Sequence, residues 1–474
     1  MSRVVMFVRN GVNRDSRVLR EARTLTDAGH VVTIIGLAVD GEGLPAAETR
    51  DGLDIIRVPS PNRWRLAWAW LHRPWALHGR AVAMFKSAVR RGPRGLPDAI
   101  LIMLVWLVSV PWSVVRYPLH RLGFRPSPSR MGNIEFLLNW AFSTTGWGRR
   151  ASRVAPAAEV YHGHDLTGLV PAAAAADRHG GLLVYDSHEL FLESGAYAER
   201  PRWVRRLIGL QERRLVARAA AVITVNPSIG AELRRRMPVA RLVIVHNCPP
   251  RWSPPAAPEN LLRSAAAIPP GVPLLLYHGV FTNHRGLEQL ADAALEPGLK
   301  HAHVVYLGYG ASRPMLDALA AEPRYGGRLH VLDAVDPSVL LDWVTGADVG
   351  VIPGQRSTLN HLLSSPNKLF ESIAAGVPVA IMDFPYVHQV VIDNPDGPLG
   401  TVCDPADPAS IARAIRGVID LPESEREALR RRCLRAAGEL WNWETESARL
   451  VELYDSLAVG AGPSKAGTTT SQSR

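Results

Sequence analysis

The chain has 474 residues, of which 47% are hydrophobic and 21% charged, and this composition is typical of folded proteins. Its length exceeds what one hydrophobic core normally supports, so we expect two domains with additions. The three cysteines show no Cys-x-x-Cys spacing, which argues against a disulfide framework and a zinc site and favours a reducing cytoplasm. Residues 1–8 form too short an apolar run for a signal peptide and predict a first strand.

The net charge of +10 arises between residues 60 and 150. This segment has 14 lysines or arginines against two acidic residues, and it holds eight of the 13 tryptophans. Basic residues interleaved with tryptophan favour either a nucleic-acid surface or an anionic membrane interface. The uncharged run 99–115 favours the membrane and argues against nucleic acid, because a nucleic-acid surface does not need it.

At about 1.5 Å per residue, the run 99–115 is shorter than a ~30 Å hydrocarbon core, and Pro111 interrupts it. We therefore expect the insertion at 60–150 to associate with a membrane surface as a partly immersed helix or helical hairpin. The alternative is a buried helix of the first domain.

Short apolar strands alternate with helical patterns on both sides of this insertion, which predicts a parallel, doubly wound sheet in a first domain at 1–246. The predicted strands are 3–8, 31–36, 54–58, 160–163, 182–186, 221–225 and 242–245. The predicted helices are 16–28, an alanine-rich helix to about 178, 204–218 and 227–236. Residues 247–271 are rich in proline and alanine and predict an interdomain linker.

A second strand–helix series predicts another doubly wound domain at 272–438. Its strands are predicted at 273–278, 304–307, 328–332, 349–352 and 377–382, and its helices at 286–294, 313–321, 337–345, from 366, 411–419 and 423–438. Two such halves predict a ligand in the cleft between them, at the carboxyl ends of the strands. A last helix lies within 439–458, and the polar tail 459–474 is expected to be disordered.

One stretch of the second domain, SSPNKLFESIAAGVP, predicts a short helix with strong end signals. Ser365 is a suitable N-cap and Pro366 a suitable first helical residue. Free N–H groups at Asn367 and Lys368, the helix dipole and the lysine charge suit a diphosphate, and Glu371 one turn later suits a sugar diol. The alternative is a capped surface helix with an ion pair between Lys368 and Glu371.

Charged and polar residues follow two neighbouring strands of the first domain: His164, Asp165, His188 and Glu189. Because the carboxyl ends of parallel strands face one cleft, we expect these side chains to converge there. Such a cluster could bind a metal ion. Arg14 and Arg17 open the first helix and would face the same cleft; the alternative for them is a solvated helix start.

Glycines and a cation follow the strands of the second domain. The loop after its first strand contains Gly279 and Arg285, whose guanidinium suits bidentate phosphate binding. Gly308 ends the next strand and would permit close backbone approach to a nucleotide or sugar. Val335 follows the third strand.

These motifs resemble those of the family 4 (group 1) retaining glycosyltransferases, which have the two-domain GT-B fold. The resemblance runs from residue 3 to 457 and is most specific at Ser-Pro-Asn-Lys-Leu-Phe-Glu. There are two departures. The family often has a second glutamate eight residues before Glu371, where this chain has Leu363, and a basic residue where it has Val280.

The resemblance implies a role for each candidate residue. Arg285 and Lys368 would hold the departing diphosphate together with the helix start at Pro366 and Asn367, and Glu371 would bind the ribose. His188 would lie in the donor-sugar pocket. The loops at Gly279, Gly308 and Val335 would contact the donor, the last through its backbone. Residues on the acceptor side would be Arg14, Arg17, His164, Asp165 and Glu189.

We therefore expect a retaining glycosyltransferase that uses a UDP- or GDP-linked sugar, needs no metal, and acts on a lipid-linked or glycan acceptor. The insertion places it at the cytoplasmic face of the inner membrane, and the resemblance implies that the last helix crosses back onto the first domain. The alternatives are a nucleotide-sugar epimerase of the same fold and a non-catalytic, membrane-bound subunit of a glycan-assembly complex.

Overall fold

The computed structural model describes residues 1–13, 15–39, 41–61, 128–255 and 260–460, with a few single positions between 85 and 103. The first domain contains the strands β1 (Arg3–Phe7), β2 (Val31–Ala38), β3 (Ala47–Arg50), β4 (Leu53–Pro59), β5 (Val160–His164), β6 (Leu182–Ser187), β7 (Ala221–Thr224) and β8 (Leu242–Ile244). They form one sheet in the order β3-β4-β2-β1-β5-β6-β7-β8, in which all neighbours are parallel except β3 and β4.

The helices of the first domain lie on both faces of this sheet. They are α1 (Ser16–Asp27), α2 (Pro128–Leu138), α3 (Thr145–Val154), α4 (Asp165–His179), α5 (Gly195–Ala198), α6 (Arg202–Val216) and α7 (Pro227–Arg236), with a π-helical segment at Asn139–Thr144. The central strands are buried on both faces, as continuous apolar runs in a parallel sheet require.

The second domain contains a six-stranded sheet in which all neighbours are parallel. Its strands are β9 (Leu274–Val280), β10 (His303–Tyr309), β11 (Leu329–Asp333), β12 (Val349–Ile352), β13 (Val379–Met382) and β14 (Gly400–Cys403), in the order β11-β10-β9-β12-β13-β14. Its helices are α9 (Leu287–Ala293), α10 (Arg313–Ala320), α11 (Leu340–Val344), α12 (Leu359–Leu363), α13 (Asn367–Ala374), α14 (Pro385–Val391), α15 (Pro408–Ile419) and α16 (Glu423–Glu439), preceded by α8 (Leu261–Ala265).

The last helix, α17 (Trp443–Gly460), packs on the first domain although it follows the second in the chain. Leu450 and Leu453 are buried in the first-domain core. The hydroxyl of Tyr454 lies 2.7 Å from Nδ1 of His162, and the indole of Trp443 donates to Thr24. The first domain is therefore completed by the end of the chain.

Part of the predicted insertion at 60–150 belongs to the first-domain core. Trp140 and Trp147, which belong to its tryptophan pattern, are 6% and 0% exposed and lie in the first-domain core. The Trp147 indole donates to the carbonyl of Val58 and the Trp140 indole to Gln211, because a buried indole N–H needs an acceptor. Assigning these two tryptophans to a membrane interface was therefore wrong.

Most of the run 99–115 lies outside the described residues, so the structure does not show membrane association of the insertion. Within the described part of the chain, none of the helices is both long and apolar enough to cross a bilayer.

Several short elements were not predicted. The sequence did not predict the edge strands β3 and β14 or the helices α5, α12 and α14, all of which have seven residues or fewer. The longer helices α2 and α3 were not predicted either. Residues 247–271 were expected to form an irregular linker, whereas the structure has α8 there, capped by the side chain of Asn260. Elements this short carry little periodicity.

Candidate active site between the two domains

The α13 helix begins one residue later than the sequence predicts. Pro366 occupies the N-cap position with extended backbone dihedral angles, and α13 runs from Asn367. Ser365 does not cap it, because the Ser365 hydroxyl instead accepts from Asn226 of the first domain. No described residue accepts from the backbone N–H groups of Asn367 and Lys368. Two donors at the positive end of the helix are thus left for a ligand.

Two cations lie close to this helix start. The Lys368 ammonium lies 4.9 Å from the centroid of the Tyr277 ring. Burial, and then the charge of Arg285, lower the pKa of Lys368 to about 8, against the opposing effect of Glu371. Among the described residues, no carboxylate forms an ion pair with Lys368 or Arg285. Two cations without an ion-pair partner favour an anionic ligand.

Glu371 is held by a histidine that the sequence analysis did not single out. Nε2 of His278 lies 3.0 Å from a carboxylate oxygen of Glu371. Burial raises the pKa of Glu371, but the hydrogen bond of His278 and the charges of Lys368 and Arg20 offset this and leave the pKa below its ordinary value. The predicted ion pair with Lys368 does not form. The carboxylate is therefore ionised and fixed in direction.

The glycines near this site have different roles. Gly279 has a φ of 109°, which a residue with a side chain rarely adopts, and the Lys368 side chain passes 3.6 Å from where its Cβ would lie. A Cβ on Gly308 would lie 1.9 Å from the Gly279 carbonyl oxygen, so strand packing already requires glycine there. The side chain of Val335 packs on an apolar cluster of the second domain, which leaves its backbone for any contact.

On the first-domain side, His188 lies between two carboxylates. Its Nε2 is 3.0 Å from Asp186 and its Nδ1 is 3.5 Å from Asp165, which also accepts from the His188 backbone N–H. Burial lowers the pKa of His188, but the two aspartates offset this and raise it to about 10. Burial raises the pKa of Asp165 to about 6 despite the charge of His188. The imidazole is thus a charged group at neutral pH.

Beneath His188 lies a buried polar cluster centred on Arg17. The Arg17 guanidinium donates twice to Asp186, at 3.0 Å, and lies 2.9 Å from Glu21. Nδ1 of His164 is 3.2 Å from His188. Arg17 is only 3% exposed. The alternative of a solvated helix start is wrong for Arg17, whose charge is used within the first domain. Arg14 lies outside the described residues.

The same cluster contains a group of possible metal ligands, all buried and within 4.8 Å of one another: Glu21, His162, His164 and Asp186. Arg17 already lies between the two carboxylates of this group, so a cation is present at that position without an ion. The charge of Asp186 is thereby compensated by protein groups.

Glu189 contacts the opposite domain. The Glu189 carboxylate accepts a hydrogen bond from the side-chain N–H of Asn360 at 3.0 Å and another from the Ser194 hydroxyl. The side-chain oxygen of Asn360 in turn accepts from the backbone N–H of Leu190 at 2.9 Å. Leu363, which stands where the family often has glutamate, packs against the first-domain core. The α12 helix therefore connects the domains, and Glu189 is engaged by that connection.

Two cavities adjoin these groups. One of about 590 Å³ lies between the domains and is lined by Arg17 and His188 on one side and by Ser365 and Asn367 on the other. A second, of about 1050 Å³, opens at the carboxyl ends of the second-domain strands and is lined by Arg285. Lys368 lines neither of these cavities but interacts electrostatically with Arg285.

Sequence reasoning missed His278 and Asn360. His278 could have been found, because it directly precedes Gly279 near the carboxyl end of β9. No sequence pattern around Asn360 indicates its role, since its hydrogen-bond partners lie about 170 residues away and belong to the other domain.

Comparisons with known proteins agree with this architecture. Residues 14–248 match the model of a glycosyl transferase 4-like domain, and residues 272–420 match that of glycosyl transferases group 1. The chain is 25% identical over 308 residues to a glycogen synthase of Mycobacterium tuberculosis, which covers 62% of this chain and 68% of that protein. It is 27% identical over 339 residues to a D-inositol 3-phosphate glycosyltransferase of Geodermatophilus obscurus, covering 63% and 67%.

Among solved structures, sucrose-phosphate synthase from Thermosynechococcus elongatus superposes with a TM-score of 0.64 at 17% identity, covering 97% of this chain and all of that one. Anabaena HepE in complex with UDP-glucose superposes with a TM-score of 0.62 at 11% identity, covering 96% and 100%. These similarities confirm the expected fold of two parallel-sheet domains. Since the two family models together span most of both domains, the chain belongs to the group 1 glycosyltransferases and is a glycosyltransferase of the GT-B type.

Proposed function

We propose that this glycosyltransferase moves a sugar, with retention of configuration, from a UDP- or GDP-linked donor to a lipid-linked or glycan acceptor at the cytoplasmic face of the inner membrane. One observation carries the donor side. The charge of Arg285 acts on Lys368, and neither cation forms an ion pair with a carboxylate among the described residues. The backbone N–H groups of Asn367 and Lys368 likewise have no described acceptor. A diphosphate satisfies all four groups at once.

The proposed donor geometry follows from these contacts. The diphosphate lies at the start of α13 between Arg285 and Lys368, and Glu371, held by His278, accepts hydrogen bonds from the ribose hydroxyls. As the sugar leaves, negative charge develops on the diphosphate, where the fixed cations and the helix dipole stabilise it. Because these groups already supply the counter-charge, we propose that no divalent metal is needed. Activity that persists in excess chelator supports this.

Retention is proposed to occur without a covalent intermediate on the enzyme. Asp165 and Asp186 are the carboxylates nearest to His188, and both are engaged by its imidazole and backbone. Neither is available as a nucleophile. The acceptor hydroxyl then attacks on the face that the diphosphate leaves, and a donor phosphate oxygen takes its proton.

The acceptor is proposed to enter the cavity of about 590 Å³ between the domains. Its lining is largely polar and includes Asn10, Asn13 and Glu42, which suits hydroxyl groups. The lipid-linked class is proposed because of the basic, tryptophan-rich segment at 60–150. HepE was solved with UDP-glucose, which supports a uridine donor as the first to test.

The donor site can be tested with matched variants. Lys368→Ala and Arg285→Ala should each abolish transfer and weaken UDP or GDP binding in calorimetry by at least tenfold, while Lys300→Ala serves as control. Lys300 is exposed and precedes β10 at the opposite, amino edge of the same sheet. Transfer at the wild-type rate in either site variant contradicts the assignment. A panel of nucleotide sugars with membrane extract, followed by mass spectrometry of the glycolipid, identifies donor and acceptor.

A further inference from the structure

The α6 helix exposes large apolar side chains that the fold does not bury. Trp203, Leu207 and Leu210 are 49%, 52% and 46% exposed. Their spacing of four and three residues puts them on one stripe of the helix. The inward face of α6 is already filled by Val204 and Ile208, which lie in the first-domain core. Among the described residues, the exposed stripe is therefore not needed to pack α6 against the first-domain core.

A basic stripe runs beside the apolar one. At about 100° per residue, Arg202, Arg206 and Arg213 cluster within about 40° of the helix circumference, next to the stripe of Trp203, Leu207 and Leu210. Arg214 adds a further charge near the carboxyl end of the helix, and all four arginines are exposed.

This face has no counter-charge of its own. The structure describes every residue of α6, and its single acidic residue, Glu212, is buried on the opposite side, where it accepts from the Tyr185 hydroxyl. Arg202, Arg206 and Arg214 form no ion pair with a carboxylate in the described part of the chain, in contrast to Arg205, which pairs with Glu193. The four exposed arginines therefore present net positive charge to whatever covers the helix.

The position of α6 is next to the base of the tryptophan-rich segment. The described residues on either side of 62–127 belong to the first domain: Pro61 lies close to Gly146 of α3, and α2 begins at Pro128. The segment between α2 and α3 touches α6 through the hydrogen bond from Trp140 to Gln211. The α6 helix is thus in contact with the described part of the tryptophan-rich segment at 60–150.

We propose that the outer face of α6 docks on an anionic phospholipid surface. Tryptophan and leucine enter the headgroup boundary, and the neighbouring arginines bind lipid phosphates, which is the arrangement that interfacial helices use. Each arginine near an anionic surface strengthens binding by roughly fivefold. This surface differs from the insertion, and it rests on the proposed function only in that a lipid-linked acceptor requires the enzyme at the bilayer.

Vesicle binding of the full-length protein tests the proposal directly. The wild type should sediment with phosphatidylcholine–phosphatidylglycerol vesicles, bind pure phosphatidylcholine at least tenfold more weakly, and dissociate at high salt. Trp203→Gln with Leu207→Gln, and Arg202→Gln with Arg206→Gln, should each weaken binding at least tenfold. The matched control is Val339→Gln with Leu440→Gln, two exposed apolar residues of the second domain. If both α6 variants bind the anionic vesicles as tightly as the wild type does, the proposal is overturned.

A local probe separates α6 from the insertion. The three native cysteines are buried, so Leu207→Cys can be labelled with a polarity-sensitive dye. Its emission should shift to the blue with anionic vesicles, and that of labelled Val339→Cys should not. No shift at position 207 while the protein sediments shows that another segment docks and overturns the proposal. A shift that appears on self-association without vesicles overturns it in favour of a second copy of the chain.

UDP calorimetry on the same variants separates the two proposals. Unchanged UDP binding with lost vesicle binding supports α6 docking. Vesicle binding without UDP binding contradicts the proposed donor site but leaves the proposed docking of α6 intact.

Discussion

Nε2 of His278 lies 3.0 Å from Oε2 of Glu371, and this contact joins the end of β9 to the helix whose start faces the cleft. It fixes one carboxylate oxygen and leaves the other for a ligand. Because the contact helps to keep the pKa of Glu371 below its ordinary value, the carboxylate is charged throughout the neutral range.

Replacing His278 should therefore weaken nucleotide binding without removing it. A hydrogen bond to a charged group contributes about 1.5–3 kcal/mol, so His278→Leu should raise the Kd for UDP roughly tenfold or more in calorimetry. His278→Gln, which keeps an N–H at a similar reach, should recover much of the affinity. Equal affinity in the leucine variant and the wild type contradicts a positioning role for His278.

Lys368 should make nucleotide binding depend on pH. Its pKa is lowered to about 8, so the free enzyme loses this charge as the pH rises through 8, and the charged form is the one that binds a diphosphate. Affinity for UDP should fall about tenfold between pH 7 and pH 9, with proton uptake on binding above pH 8.

The matched variant is Lys368→Arg. A guanidinium keeps its charge across this range, so the arginine variant should show no such fall in UDP affinity. Calorimetry in buffers of different ionisation enthalpy measures the proton uptake. The same pH dependence in both proteins places the titrating group elsewhere.

The contact between Glu189 and Asn360 should favour the closed arrangement of the domains. Asn360→Asp places a second carboxylate against Glu189, so we expect repulsion across the cleft, a larger radius of gyration in small-angle scattering and a lower kcat. Asn360→Ala should have a smaller effect. Adding Glu189→Gln to the aspartate variant should restore closure, and failure to do so contradicts this pairing.

Arg17 should stabilise the first domain through Asp186. Burial raises the pKa of Asp186, but Arg17 and His188 more than offset this and hold it well below its usual range. Arg17→Met leaves a buried, incompletely compensated carboxylate, which should lower the free energy of unfolding by about 3–5 kcal/mol in urea titrations. The double variant Arg17→Met with Asp186→Asn should lose less stability than Arg17→Met alone.

The direction in which pH changes the free energy of unfolding distinguishes the wild type from Arg17→Met. In the wild type the lowered pKa of Asp186 contributes stability at neutral pH that is lost as the pH falls through the acidic range. In Arg17→Met the pKa should rise, so mild acid should increase stability by protonating the carboxylate. Parallel pH profiles contradict the assigned role of Arg17.

The order of strands and helices could be predicted from the sequence because each long element carries its own periodicity. The helix α13 could be predicted from its end signals, since Pro366 and the glycine that follows the helix lie ten residues apart. The partners of Arg17 and Glu189 could not be predicted, because they are about 170 residues distant and depend on how the folded elements meet. Burial of Trp140 and Trp147 was missed because composition alone does not separate a core tryptophan from an interfacial one.

The chain crosses between the domains twice, and the two crossings lie side by side. The backbone N–H of Trp443 donates to Pro249, and Arg251 donates to Glu444, so the outgoing and returning segments are tied together. We expect the two adjacent crossings to act as one hinge, about which the domains rotate while twisting between them is resisted. The distance between one labelled residue on each domain, at the edge of the cleft farthest from the crossings, should then be enough to follow opening.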